Sequence, residues 1–105
     1  MIRIVASGVV RDGCRTEFLR LAERLGFERI AFLPEADFGG RVADMYYYGL
    51  YASADAPERV AFLEEWKDEA AVEAHNATPH FTEICPALGA FLKEPMQVTT
   101  YTQVL

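Results

Sequence analysis

Glu64 is a residue whose predicted surroundings favour acid–base chemistry. Side chains alternate between the two faces of a β-strand, so a strand over residues 59–66 places Glu64 on the same face as Phe62 and Trp66. A carboxyl group among aromatic side chains has a raised pKa, because burial disfavours its charged form. Glu64 is therefore a candidate general base or acid. The alternative is a structural glutamate that is paired at the open face of the sheet.

His75 is the second candidate for a catalytic base. It shares the apolar side of a short predicted helix with Ala71 and Val72, so its ring is expected to point toward the sheet. A neutral imidazole in such a place titrates near physiological pH and can accept a phenolic proton. The alternative is a buried histidine that is hydrogen-bonded to a strand residue.

His80 follows Pro79, which begins the next predicted helix with Thr78 as its N-cap. The second position of such a helix usually faces solvent, so His80 is the weaker candidate for the base and is assigned to substrate binding. Five residues turn a continuous helix by about 500°, which leaves the rings of His75 and His80 about 140° apart. We therefore predict no metal site.

Aromatic side chains are numerous enough to line a pocket for a flat ligand. The residues assigned to substrate binding are Trp66, Phe62, Tyr46, Tyr48 and Phe81, together with His80. Core packing and a subunit interface would use the same side chains, and this alternative stays open.

The sequence lacks the familiar motifs for nucleotides, catalytic metals and redox thiols. It contains no G-x-G-x-x-G, P-loop, H-E-x-x-H or C-x-x-C pattern, and neither Ser7 nor Ser53 lies in a G-x-S-x-G context. Cys14 and Cys85 stand 71 positions apart, which is typical of two reduced, largely buried thiols and not of a disulfide framework. We therefore predict no cofactor.

The elements that must position these residues follow from hydrophobic periodicity and turn residues. Strands are predicted near 2–10, 44–52, 59–66 and 96–105, and helices near 13–33 and 68–90, with a restart at Pro79 in the second range. The order is β-α-β-β-α-β, the ferredoxin-like split β-α-β fold of the α+β class with an antiparallel four-stranded sheet. At this length, one domain over residues 1–105 is expected.

One face of the predicted sheet stays uncovered, because both helical regions pack on the other face. The strands are not cleanly polar on either side, so tyrosine, valine and leucine side chains would be exposed there. A contiguous apolar patch on a small protein usually marks an interface. A homodimer through this sheet face is therefore expected.

The charge balance restricts the classes of partner. Ten Lys and Arg residues against sixteen Asp and Glu residues give a net charge of −6, whereas phosphate contact needs clustered positive charge. The sequence contains no run of 18 apolar residues that would predict a transmembrane helix, and its start does not read as a secretion signal. We expect a cytoplasmic protein whose partners include neither nucleic acid nor a membrane.

Residues 62–81 carry a recognisable pattern, FLEEWKDEAAVEAHNATPHF. A strand that ends in Glu-x-Trp, followed by Asp-Glu-x-Ala, a histidine and Thr-Pro-His-Phe, resembles the signature of the antibiotic biosynthesis monooxygenase family. The resemblance implies a dimeric α/β barrel with a ligand cavity between sheet and helices. It also implies oxygenation of quinols or anthrone-like rings by O₂ without metal or flavin, since a deprotonated phenol can itself reduce O₂.

Branches of this family give more specific expectations. The polyketide anthrone oxygenases share Trp66, whereas Phe62, Val72 and Pro86 stand where that branch has its other site residues. The haem-degrading branch has its iron-ligating histidine where Cys85 stands, so haem breakdown is not expected. Isomerases of a phosphorylated sugar-like signalling molecule share the residue patterns found here at positions 67–75 and 78–80. No cluster of basic residues that would bind a phosphate is evident near these positions.

From the resemblance we predict a cofactor-independent monooxygenase that oxidises a small quinol or polycyclic aromatic substrate, with His75 and Glu64 as the catalytic residues. Two alternatives remain open, namely a non-catalytic ligand-binding dimer and an isomerase of the phosphorylated molecule. An oxygenase needs a base inside an enclosed cavity, whereas a binding protein can have a dry aromatic pocket.

Overall fold

A computed structural model describes residues 1–24 and 45–105, apart from the side chains of Pro79 and His80. The elements are β1 (Ile2–Val9), α1 (Arg15–Glu23), β2 (Met45–Ala52), β3 (Arg59–Trp66), α2 (Glu69–Asn76), α3 (Pro79–Leu88), a 3₁₀ turn (Gly89–Phe91) and β4 (Gln97–Thr102). This order confirms the predicted ferredoxin-like α+β fold. The parts of the predictions that cover 25–33 and residue 44 lie outside the described residues.

Within the described residues the strands form a four-stranded antiparallel sheet in the order β2-β3-β1-β4. The two central strands, β3 and β1, pair along their whole length, and Glu64 stands opposite Ile4. On its other side Glu64 stands opposite Tyr48 of β2. The register therefore places the candidate carboxylate at the middle of the sheet.

The covered face of the sheet carries the core. Along β3 the even positions, Val60 to Trp66, are buried, as strand alternation predicts, while the odd positions between them are half-buried and point to the opposite face. Phe18 from α1 and Leu88 from α3 pack against this covered face and are essentially inaccessible. Burial of such apolar side chains provides the main favourable free energy of folding.

The opposite face, which we call the open face, is not covered by the described helices. Leu63 of β3 lies on it half-buried, and Tyr47 and Tyr51 of β2 are 41% and 48% exposed. Their rings lie 6.4 Å apart over Gly49, where any Cβ atom would meet both of them. The open face is thus rich in apolar and aromatic surface.

The predicted helical range 68–90 is divided in the structure. The side chain of Asp68 accepts a hydrogen bond of 2.9 Å from the backbone N–H of Ala71 and caps α2. Thr78 then caps α3, accepting from the N–H of Phe81 at 3.4 Å, and Pro79 follows at the first helical position. The predicted restart is confirmed, and the helix that follows ends at Leu88 in a 3₁₀ turn.

The other element ends differ from the predictions by a few residues. β4 ends at Thr102 and not at residue 105, because its ladder partner β1 begins at Ile2, which pairs with Thr102. α1 begins after Cys14, since Gly13 takes a positive φ of 76° that breaks the chain direction. Cys14 and Cys85 are both free thiols of intermediate burial. No helix in the described ranges is long and apolar enough to cross a membrane.

Candidate active site

Glu64 is buried on the covered face and is only 8% exposed. Its place follows from its even position on β3, between the buried residues Phe62 and Trp66. The indole N–H of Trp66 donates a hydrogen bond of 2.9 Å to the Oε1 atom of Glu64. One carboxylate oxygen is therefore fixed by a neighbour two positions along the same strand.

Burial raises the pKa of the Glu64 carboxyl group to about 7, and the hydrogen bond from Trp66 opposes this rise by stabilising the charged form. The raised pKa expected from the sequence is thus present. A carboxyl group that titrates near neutral pH can take or give a proton at low cost.

Two other titratable side chains lie near the Glu64 charge. Burial raises the pKa of the Cys85 thiol to about 11, and the Glu64 carboxylate adds to the rise. Burial likewise raises the pKa of the Tyr48 phenol above its ordinary range, with smaller contributions from Glu64 and Cys85. Both groups are therefore neutral at pH 7, so Glu64 can change its charge beside neutral neighbours.

His75 lies in the last turn of α2 and is 3% exposed. Ala71, four positions earlier, is also buried, so one face of this short helix points at the sheet. The imidazole ring packs on Trp66 at a centroid distance of 4.7 Å and meets Tyr48 edge-on at 5.3 Å. The orientation predicted for His75, toward the sheet, is the one found.

Aromatic rings surround the two candidate acid–base residues. Tyr48 lies 6.1 Å from Phe62 and 6.3 Å from Trp66 between ring centroids, and Phe81 lies 5.5 Å from His75. Tyr48 and Phe81 are half-buried, whereas Trp66 is 1% exposed. The cluster therefore has its deep end at Trp66 and its solvent side at Tyr48 and Phe81.

The predicted site residues are not all in this cluster. The structure brings together six of them, namely Glu64, His75, Trp66, Phe62, Tyr48 and Phe81. Tyr46 is 51% exposed at a β-bulge between Met45 and Tyr47, so it lies at the surface. The side chain of His80 lies outside the described part of the structure.

Sequence reasoning missed the position of Cys85 beside Glu64. The signal was its place on the apolar stripe of α3, four positions after Phe81, which puts both side chains on one helix face. The described residues contain no group of three or more His, Cys, Asp or Glu side chains that could hold a metal ion.

A separate cavity of about 590 Å³ lies at the open face. Its lining includes Ser7, Tyr51 and Arg59, and none of its lining residues belongs to the cluster around Glu64. We place the candidate active site at the cluster because the residues with acid–base chemistry are there.

Fold and site together define a small ferredoxin-like α+β protein in which two candidate acid–base residues are buried in an aromatic shell. Comparisons with known proteins agree with this class. The sequence model of the antibiotic biosynthesis monooxygenase family matches residues 45–87, which include β2, β3, α2 and most of α3. No protein with a curated function matches the chain.

Solved structures match over nearly the whole chain. A conserved protein from Methanosarcina mazei is 31% identical, with a TM-score of 0.82 over 98% of this chain and 92% of that one. A crystal structure described as an antibiotic biosynthesis monooxygenase is 26% identical, with a TM-score of 0.82 over the whole of both chains. A protein from Shewanella oneidensis is 28% identical, with a TM-score of 0.74 over 97% of this chain and 89% of that one. The chain belongs to the antibiotic biosynthesis monooxygenase family.

Proposed function

We propose that the protein is a cofactor-independent monooxygenase that oxidises a small quinol or polycyclic aromatic molecule with O₂. The observation that carries the proposal is the buried carboxyl group of Glu64, which titrates near pH 7 inside a shell of aromatic rings. Family membership supports the reaction class. Similarity to solved structures over 97–100% of the chain supports the proposal that residues 1–105 act as one domain.

The half-buried rings of Tyr48 and Phe81 give the side from which a flat substrate would enter. The substrate ring would then stack against Phe62 and Trp66, with its hydroxyl group toward Glu64. Aromatic side chains favour such offset or edge-on stacking by about 0.5–1.5 kcal/mol per pair beyond the burial of area.

Glu64 accepts the phenolic proton in the proposed reaction. The resulting electron-rich anion transfers electrons to O₂, and a C–O bond forms to give a peroxide on the substrate carbon. Loss of water then leaves a new carbonyl or hydroxyl group: one oxygen atom enters the product, and the other leaves as water with two hydrogen atoms from the substrate. The substrate supplies all four electrons that reduce O₂, two for each oxygen atom. His75, whose ring packs against Trp66, donates a hydrogen bond to the oxyanion that develops.

We also propose a homodimer through the open face. Leu63 of β3 is half-buried there, and the exposed rings of Tyr47 and Tyr51 lie on the neighbouring strand β2. Tyr101 is exposed on the same face on β4, at the opposite edge of the sheet. Arg3 and Glu65, which form an ion pair across β1 and β3, lie on the same face. An exposed apolar and aromatic surface of this kind often marks a subunit interface.

The test is dioxygen consumption with anthrone and menadiol as probes, added from anaerobic stocks. We expect consumption above the rate without enzyme, and one ¹⁸O atom from ¹⁸O₂ in the product. Glu64→Gln is expected to lower the rate about 10²–10⁴-fold, because the base is lost. Glu83→Gln, on the exposed side of α3, is the matched control and is expected to keep the rate.

Tight binding of these probes without any oxygen consumption would instead support the non-catalytic ligand-binding dimer. Stoichiometric binding of flavin or haem by the purified protein would contradict the proposed cofactor independence.

A further inference from the structure

The chain contains one tryptophan, and its indole N–H donates a hydrogen bond to the candidate base. The indole N–H of Trp66 lies 2.9 Å from Oε1 of Glu64, and the two side chains are 1% and 8% exposed. A hydrogen bond to a charged group is stronger than a neutral one, and the strand places both side chains on one face.

The indole ring is held in place by its surroundings. Trp66 packs in a buried cluster with Ile2, Ile4 and Ala71, and its ring lies tilted against the imidazole of His75 at a centroid distance of 4.7 Å. A ring packed in this way cannot rotate its N–H away from Glu64 without displacing these neighbours. The hydrogen bond is therefore a fixed feature of the site.

We propose that Trp66 is a positioning residue for the proton transfer. Its indole N–H donates a hydrogen bond to Oε1 of Glu64, which leaves Oε2 as the oxygen that accepts the substrate proton. Without the indole, the carboxylate would be free to turn and would lose the one hydrogen bond that favours its charged form there. The catalytic meaning of this inference rests on the proposed function, whereas the pairing of the two side chains does not.

Other titratable groups face Glu64 from the elements packed around it, and they bear on any pH dependence. Tyr48 faces it from β2 and Cys85 from α3, and both are neutral at pH 7. β1 contributes the apolar Ile4. Histidine side chains in general titrate near neutral pH, so an experiment must distinguish an effect of His75, on α2, from an effect of Glu64.

Because Trp66 is the sole tryptophan, the protein has a single indole N–H signal in a ¹H–¹⁵N NMR spectrum. We expect this signal to shift with pH, with a midpoint near 7, as Glu64 ionises. The shift should vanish in Glu64→Gln, persist in His75→Gln and be unchanged in the control Glu83→Gln. An indole signal that is insensitive to pH in the native protein would overturn the proposal, as would a shift that disappears in His75→Gln and persists in Glu64→Gln.

The second test uses Trp66→Phe, which keeps an aromatic ring and removes the N–H. The acidic limb of the pH–rate profile with anthrone is expected to move upward by about one to two pH units, because the charged form of Glu64 loses a hydrogen bond. The same upward shift is expected in a ¹³C-carboxyl NMR titration of Glu64, which needs no substrate. A merely structural tryptophan would lower the folded fraction without moving either titration.

The two proposals can fail separately. If no probe is oxidised but the indole signal titrates with Glu64, the proposed function fails and the pairing stands. If anthrone is oxidised with the same pH profile in native protein and in folded Trp66→Phe, the positioning role fails. The indole titration is done on the native chain, so it remains decisive if Trp66→Phe does not fold.

Discussion

At the scale of single residues, Glu64 connects the proposed catalysis with stability. Its pKa is about 7 in the folded protein, against 4.5 for an ordinary glutamate, so between these values the folded state holds a proton that the unfolded state releases. The contribution of this carboxyl group to the free energy of unfolding is fully present below pH 4.5, and it is lost as the pH rises through 7. The carboxyl group that suits the proposed chemistry thus destabilises the fold at the pH where it would act.

We predict that Glu64→Gln is more stable than the native protein at pH 8 by about 3 kcal/mol, since the amide keeps an acceptor for Trp66 and never ionises. At pH 5 the two proteins should differ by less than about 1 kcal/mol. Urea unfolding followed by circular dichroism at both pH values measures the difference. An identical pH dependence in the two proteins would contradict the assigned pKa.

His75 gives the second prediction at this scale. His75→Gln is expected to lower oxygen consumption about 10²–10³-fold while the protein stays folded, because a donor to the oxyanion is lost or misplaced. A histidine with a structural role alone would instead lower the free energy of unfolding by about 1–3 kcal/mol and leave the activity of the folded fraction unchanged. Rates normalised to the folded fraction distinguish these outcomes.

Much of the site was predictable from local periodicity. Strand alternation placed Glu64 among Phe62 and Trp66, and the helical stripe turned His75 toward the sheet. Tyr46 was not predictable in this way, because a β-bulge changes which face a residue occupies. The approach of Cys85 to Glu64 depends on how α3 packs on the sheet, which sequence spacing alone does not contain.

At the scale of elements, the junction between α2 and α3 controls how the site is assembled. The hydroxyl group of Thr78 donates to the backbone carbonyl of His75 at 2.7 Å and accepts from the N–H of Phe81. One buried side chain therefore ties the end of one helix to the start of the next. His75 and Phe81, whose rings lie 5.5 Å apart, flank this tie.

We predict that Thr78→Ala lowers the free energy of unfolding by about 1–2 kcal/mol, because an N-cap and a buried hydrogen bond are lost together. Thr78→Ser should recover most of the loss, since serine caps equally well. Thr82→Ala, at an exposed position of α3, is the control and should change stability by less than about 0.5 kcal/mol. Equal losses in Thr78→Ala and Thr82→Ala would show that the tie contributes nothing.

The sequence also predicted this junction, because threonine before proline is a strong local start signal. The end of β4 was not predictable by the same means. Val104 continues the alternating pattern beyond Thr102, but the partner strand β1 begins at Ile2, and past Thr102 the pairing goes on only through a hydrogen bond of 3.1 Å from the N–H of Gln103 to the carbonyl of Met1. Strand ends depend on the partner and not only on the pattern.

At the scale of the whole molecule, the open face leads to a prediction about assembly. We expect a mass near twice 11.8 kDa by light scattering at micromolar concentration. Leu63→Glu should shift the mass toward 11.8 kDa, because a charge on this face would be buried without a partner in the dimer. Ala87→Glu, on the exposed side of α3, is the control and should leave the mass unchanged. A native protein that stays at 11.8 kDa would rule out the dimer.

β4 has a consequence for how the protein behaves in solution. Within the described residues it is an edge strand, all six of its residues are exposed, and it carries no charge, proline or bulge along Gln97–Thr102. Strand edges of this kind are templates for pairing with other chains, and natural proteins usually block them with lysine or proline. A chain forced to remain a monomer would therefore be prone to aggregate edge to edge while its core stays folded. The rate at which soluble protein is lost would then depend on protein concentration and not on the melting temperature.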